Sequence, residues 1–415
     1  MEKNVGIYIH IPFCAGKCAY CDFYSVTATP ELMQRYKDAV VHHIREWSSQ
    51  LDGFIIDTVY FGGGTPSYFG AGRLISILGA LKKYGKVLKD AEITLEANPE
   101  SITLMELLRL RRAGFNRLSL GVQSADDRLL KSLGRLHDFA GAEKAVEEAR
   151  RAGFNNLSLD LIYGLPSQTR TAWADTLMKA TSLKPEHMSC YGLKLEPGTP
   201  IYSFRDSPFI PDDDTQADMY LYTVDTLDRL GYRQYEISNF ARMGFQSEHN
   251  LKYWRCKEYI GFGAAAHSYV GGRRYSYLAD VEKYCSRVKD GGIMVERTEK
   301  VSDFERAGEY LMLGLRTTLG ISGREYQETY HGGFDRIAEK MDYYVKHGFA
   351  LKNGDRWCLT PRGFLVSNTI IAEVLDAQTW QRTEAAPYIV SETEPENQIT
   401  MFPQLKREAE WFRGI

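Results

Sequence analysis

One nine-residue stretch occurs twice in nearly the same form, as Arg112-Ala-Gly-Phe-Asn-Arg-Leu-Ser-Leu120 and again as Arg151-Ala-Gly-Phe-Asn-Asn-Leu-Ser-Leu159. Each copy reads as the end of a helix, a glycine suited to a left-handed C-cap, and the start of a strand. Two successive helix-to-strand units restrict the chain to folds assembled from βα units. The surrounding pattern agrees. Short β-branched runs at 5–11, 55–61, 91–97, 116–123, 156–163, 187–195 and 233–237 alternate with amphipathic stretches at 31–50, 72–84, 103–113, 138–152, 171–183 and 215–230. Such alternation predicts an α/β fold with a parallel sheet and right-handed crossovers, a TIM-like partial (β/α)6 barrel.

In such sheets the working groups gather at the C-terminal ends of the strands. The first strand runs into Cys14-x3-Cys18-x2-Cys21. Three thiolates on one loop suit an Fe–S cluster, and a cubane held by three cysteines keeps one iron open for a ligand that is not protein. The competing reading is a structural zinc site, which usually shows a second Cys or His pair. Here Cys190, Cys256, Cys285 and Cys358 are scattered singly. The second strand ends in Gly62-Gly63-Gly64-Thr65-Pro66, where a ligand can approach the backbone closely, or where the chain simply turns tightly. The third runs to Glu96 and the fourth to Gln123. In the second copy of the repeat, Asp160 stands where the first has Gly121. A carboxylate on an interior strand needs a polar partner, either a ligand or neighbouring backbone.

A net charge of −3 gives no electrostatic reason to expect nucleic acid. Seven cysteines without framework spacing suit a reducing compartment, so the expected location is cytoplasmic. Neither a signal-peptide pattern nor an apolar run of membrane-spanning length occurs. The barrel is expected over 1–240, with an edge extension over 241–298. Helices at 303–319, 324–331 and 334–347, a hairpin around Asn353-Gly354 and a last helix at 361–375 predict a smaller winged-helix-like domain over 299–378. Residues 379–415 read as a mobile tail ending in a short helix at 404–412.

Taken together, the Tyr8-x-His10-x-Pro-Phe13-Cys14 lead, the three cysteines with Tyr20 between them and the Gly-Gly-Gly-Thr-Pro loop resemble the radical S-adenosylmethionine superfamily. More narrowly, the Tyr8-x-His10-x-Pro-Phe13-Cys14 lead is similar to the oxygen-independent coproporphyrinogen III dehydrogenases and their relatives. That resemblance implies a 4Fe–4S cluster on Cys14, Cys18 and Cys21. It also implies S-adenosylmethionine contacts from Tyr8, Tyr20, Gly63, Gly64, Thr65, Glu96, Gln123, Arg135, Asp160 and His267. The dehydrogenases carry a further cysteine where this chain has Phe23, and a longer segment ahead of the motif. Those departures, with His249-Asn250-Leu-Lys-Tyr253-Trp254, are similar to the HemW haem chaperones. Membership there would imply haem as a third ligand, with His249 on the iron and Asn250, Tyr253 and Trp254 beside it. It would also imply delivery of haem to respiratory apoproteins, a haem donor, transient membrane association, and a monomer or a cluster-dependent dimer. Read by itself, His249 could equally be a histidine supporting an Asn250 helix cap. Anaerobic oxidation of coproporphyrinogen III is the alternative as an enzyme. A metal-stabilised regulatory or nucleic-acid-binding protein is the alternative of another class.

Overall fold

The computed structural model describes residues 3–289 and 295–385. Six parallel strands are laid down in chain order: β1 (Lys3–Ile11), β2 (Phe54–Gly63), β3 (Lys86–Ala97), β4 (Arg117–Gln123), β5 (Leu157–Tyr163) and β6 (His187–Gly192). The repeat explains the register. Leu118, Ser119, Leu120 and Gly121 of β4 lie opposite Leu157, Ser158, Leu159 and Asp160 of β5, so the two copies stand side by side, residue for residue. In the first copy Gly114 is a left-handed cap at φ 114°, its N–H bonded to the last carbonyls of helix Leu104–Ala113. Phe115 and Phe154 after the two glycines are fully buried. Alternation does the rest: Ile7, Ile9 and Ile11 pack outward under the helices, while Tyr8 and His10 face the lumen with Tyr60 of β2.

Beyond β6 the βα pattern stops. Strands β7 (Arg233–Gln234) and β8 (Asn239–Ala241) pair antiparallel along the far edge, so the expected seventh strand is a short edge ribbon. Helix Glu248–Trp254 follows, and then β9 (Tyr259–Phe262) returns to lie parallel to β1 on its other side. β10 (His267–Val270), β11 (Arg273–Tyr277) and β12 (Val295–Lys300) extend that edge antiparallel. The result, among the described residues, is one 12-stranded sheet that begins at β12 and ends at β7, an open partial barrel.

The C-terminal part has its own core. Helices Asp303–Gly314, Gly323–Tyr330 and Asp335–Lys346 pack with a three-stranded sheet, β13 (Ile321–Ser322), β15 (Arg356–Leu359) and β14 (Ala350–Asn353), through Leu311, Ile337, Met341 and Trp357. The Asn353-Gly354 turn closes the hairpin with Gly354 at φ 62°. Helix Ser367–Ala385 continues past the expected end at 375. The tail and short helix expected from 386 onward lie outside the described residues. Among the described residues no helix is long and apolar enough to cross a membrane.

Candidate cofactor site and the histidine beneath it

The cysteine loop is pinned at several points. Cys14 N–H donates to Val26 O at 3.2 Å, Ala19 N–H to Leu133 O at 3.0 Å, and Ile201 N–H to Ala19 O at 2.9 Å. Cys21 N–H closes a turn on Cys18 O at 3.2 Å. The glycine loop at the end of β2 threads beneath it: Gly64 N–H bonds Ile11 O at 2.9 Å and Thr65 N–H bonds Phe13 O at 2.8 Å. Close approach is the reason for glycine here. A Cβ on Gly64 would sit 2.9 Å from the Phe13 backbone and 3.0 Å from Cys14 Sγ, and Gly63, at φ +119°, faces the His10 ring. Thr65 Oγ1 lies 3.4 Å from Cys14 Sγ.

Arg135 crosses from β4's following loop to the other side of the cysteines. Its Nη1 donates to Cys18 Sγ at 3.6 Å, and its Nη2 donates to Asn98 Oδ1 and Gly121 O, each at 2.8 Å. Its Nε is buried and unpartnered. A buried guanidinium N–H without an acceptor calls for one, and a ligand carboxylate would supply it. Glu96 accepts from Tyr60 OH at 2.8 Å and from Gly63 N–H at 3.2 Å. Burial, with Asp160 nearby, raises its pKa to about 7. Asp160 accepts from Ser119 at 3.0 Å and Ser158 at 3.2 Å, and burial raises its pKa too. Both carboxyls keep part of their surface open to the lumen. Gln123 reaches φ 66°, and its Nε2 comes close to Gly121. Tyr20 packs beside Leu129, Leu133 and Ile201.

The structure thus brings together the three cysteines, Tyr8, Tyr20, Gly63, Gly64, Thr65, Glu96, Gln123, Arg135 and Asp160 around one end of the lumen. The donor set fits a cluster with a small zwitterionic ligand: thiols, an arginine with an unused N–H, two acids and glycine backbone. Among the described residues, no three His, Cys, Asp or Glu side chains are grouped to hold a single metal ion. A cubane asks for something different, one thiolate at each of three irons. Asn98 and Tyr60 join the site without having been expected. The signal for Tyr60 was its place two residues before Gly62, on the same face of β2.

The other predicted residues lie elsewhere. His249 is 1% exposed, and both ring nitrogens are engaged, Nδ1 with Thr58 Oγ1 at 2.9 Å and Nε2 with Tyr253 OH at 2.8 Å. Burial, with Lys252 and Arg117 nearby, lowers its pKa to about 3. The helix cap is Ser247, which accepts from Asn250 N–H, so Asn250 is not the cap. Glu92 takes up the Glu248 and His249 N–H groups at 3.1 and 3.0 Å. His249 and Tyr253, four residues apart, face the barrel, whereas Trp254 packs into the C-terminal core. His267 lines a cavity under helix Asp303–Gly314 and lies near enough to His10 to act on that ring.

An open βα sheet with three cysteines at the end of β1 and a glycine loop beneath them defines a radical S-adenosylmethionine protein. The family model of the Radical SAM superfamily matches residues 8–180, and that of the HemN C-terminal domain matches residues 301–366. The chain is 34% identical over 372 residues to the heme chaperone HemW of Bacillus subtilis, covering 89% of this chain and 98% of that one. It is 33% identical to the heme chaperone HemW of Escherichia coli, covering 88% and 97%. The chain belongs to the HemW family. The fold also matches a solved structure of Escherichia coli coproporphyrinogen III oxidase (HemN), a radical SAM enzyme, with TM-score 0.78 and 24% identity over 91% of each chain.

Proposed function

We propose that this chain is a cytoplasmic haem chaperone that binds a 4Fe–4S cluster, S-adenosylmethionine and haem, and passes haem to respiratory apoproteins. Cys14, Cys18 and Cys21 would hold the cluster. Arg135 would meet the carboxylate of S-adenosylmethionine through its unpaired Nε, with Glu96 and Asp160 facing its hydroxyl and ammonium groups. When bound, the cluster supplies an electron and an open coordination position. The chain's own part is to hold thiols, glycine backbone and acids in place before the ligand arrives. Thr65 and Arg135 lock the cysteine loop from two sides, and burial of Glu96 leaves it able to hold a proton near neutral pH.

The observation that supports the chaperone reading over an enzyme is Phe23. The position that carries a further cysteine in the dehydrogenases is here an exposed phenylalanine on the rim of the loop. The reading is tested by anaerobic reconstitution followed by separate titrations with S-adenosylmethionine and haem, and by haem transfer to an apoprotein. Binding of both ligands and transfer of haem are expected. A vinyl-bearing product from coproporphyrinogen III, reductant and S-adenosylmethionine would overturn the reading in favour of the enzyme.

A further inference from the structure

Asn98 directly follows β3 and opens the short turn Pro99–Ser101. Its backbone is fixed by two serines. Asn98 N–H lies on Ser67 Oγ at 3.2 Å and Ser101 Oγ at 3.3 Å, and Ser101 Oγ donates back to Asn98 O at 2.9 Å. The side-chain amide spans two other groups: Nδ2 donates to Thr65 Oγ1 at 3.3 Å, and Oδ1 accepts from Arg135 Nη2 at 2.8 Å. These are the same two residues that meet the cysteines. Thr65 Oγ1 is 3.4 Å from Cys14 Sγ, and Arg135 Nη1 donates to Cys18 Sγ at 3.6 Å. One unbroken chain of contacts therefore runs from Cys14 through Thr65, Asn98 and Arg135 to Cys18.

That chain passes close over Gly121. A Cβ there would stand 3.0 Å from Asn98 Oδ1, 3.3 Å from Arg135 Nη2 and 2.8 Å from Gln123 Nε2. The close pass accounts for a glycine in the first copy of the repeat where the second has Asp160. Arg135 Nη2 also donates to Gly121 O at 2.8 Å. Farther on, His137 meets Glu100 at 3.0 Å, which ties the stretch after Arg135 to the turn after Asn98. Both ends of the amide are thus held by the fold itself.

Direction matters here as much as distance. A guanidinium N–H can only donate, so Arg135 selects the oxygen end of the amide and sends Nδ2 toward Thr65. A hydroxyl that accepts from Nδ2 keeps its own proton for a different acceptor. A thiolate bound to a metal can only accept. We propose that Asn98 is a positioning residue whose amide, oriented by Arg135, turns the Thr65 hydroxyl proton onto the Cys14 sulfur, so that Cys14 and Cys18 each receive a donor. This rests on the cluster-binding reading above. Hydrogen bonds to cluster sulfurs set the reduction potential, and donors on sulfur favour the reduced state. Asn98 therefore acts on the potential of the bound cluster without touching a sulfur itself.

The test uses the full chain, reconstituted anaerobically, with the reduction potential read by redox titration and electron paramagnetic resonance. Asn98→Asp keeps the shape and the acceptor for Arg135 but offers Thr65 an acceptor in place of a donor, which draws the hydroxyl proton away from Cys14. Thr65→Val removes the hydroxyl altogether. Each variant alone is expected to have a potential more negative than native. The double variant should shift it by less than the sum of the two, because Asn98→Asp then acts through its charge alone. Thr65→Ser, which keeps the hydroxyl, should stay near the native potential. A double variant whose shift equals the sum, or Thr65→Val at the native potential, overturns the proposal. Should Asn98→Asp assemble no cluster, Asn98→Ala runs the same cycle. Loss of the cluster in both, with Thr65→Val still loaded, would make Asn98 a loop support and overturn the proposal as well. A native chain that holds no 4Fe–4S cluster overturns the functional reading instead, and the proposal with it.

Discussion

His249 stacks on Tyr60, with ring centroids 5.2 Å apart and planes 27° from parallel. Tyr60 in turn donates its hydroxyl to Glu96 at 2.8 Å, so the histidine motif and the cofactor end of the lumen are joined through one aromatic ring. His249→Ala deletes that stack and removes the imidazole hydrogen bonds to the Thr58 and Tyr253 hydroxyls. The expected loss is about 2–4 kcal/mol of stability, from two buried hydrogen bonds and one ring contact. Thermal unfolding of the cluster-free protein measures it. S-adenosylmethionine affinity should weaken as well, because the Tyr60 ring that donates to Glu96 loses the stack that fixes it. An alanine variant as stable as the native chain would show that the histidine is not a structural support.

Gly64 is the tightest point between the glycine and cysteine loops. Gly64→Ala would force its new methyl against the Phe13 backbone and the Cys14 sulfur. Overpacking of this kind costs roughly 1–3 kcal/mol, and the cheapest relief is displacement of the cysteine loop. Iron and sulfide per chain after reconstitution should fall well below the native content while the far-ultraviolet circular dichroism stays native. Native iron and sulfide content in that variant would count against the packing account.

Arg135 places a guanidinium N–H on Cys18 Sγ, and hydrogen bonds to cluster sulfurs together with positive charge favour the reduced state. Arg135→Gln should therefore make the reduction potential more negative, by tens of millivolts, with Arg135→Lys between the two. Redox titration followed by electron paramagnetic resonance reads this out. A potential that does not move would confine Arg135 to ligand binding and loop support.

Glu236 is fully buried, accepts from Ser238 N–H at 3.1 Å, and has its pKa raised by burial from 4.5 to about 8. The folded chain therefore holds this proton more tightly than the unfolded chain. Its stabilising contribution is complete below about pH 4.5, declines as pH rises, and is lost once pH passes about 8. Glu236→Gln keeps a neutral side chain of the same shape. Chemical unfolding of the cluster-free protein should show the variant more stable than native at pH 8 and the difference vanishing near pH 4.5. Parallel pH profiles for the two proteins would contradict this.

The βα order, the cysteine loop and the strand-end residues were all readable in the linear chain because each is local. A helix cap, a period-two run or a C-x3-C-x2-C loop is decided by neighbours a few residues away. The repeat marked two successive units, and the structure sets its two copies side by side as adjacent strands. Arg135 entered only through family resemblance, because a charged residue after a helix reads as solvent-facing until the cysteine loop is known to fold over it. The sites of His249 and His267 were beyond local reading. Their partners, Thr58 and Tyr60 for one, Arg274, Arg297 and helix Asp303–Gly314 for the other, come from segments distant in the chain. Local pattern names the elements and their order. Which histidine is walled in and which one faces a cavity is set by long-range packing, where β9 returns beside β1 and the C-terminal helix closes over it.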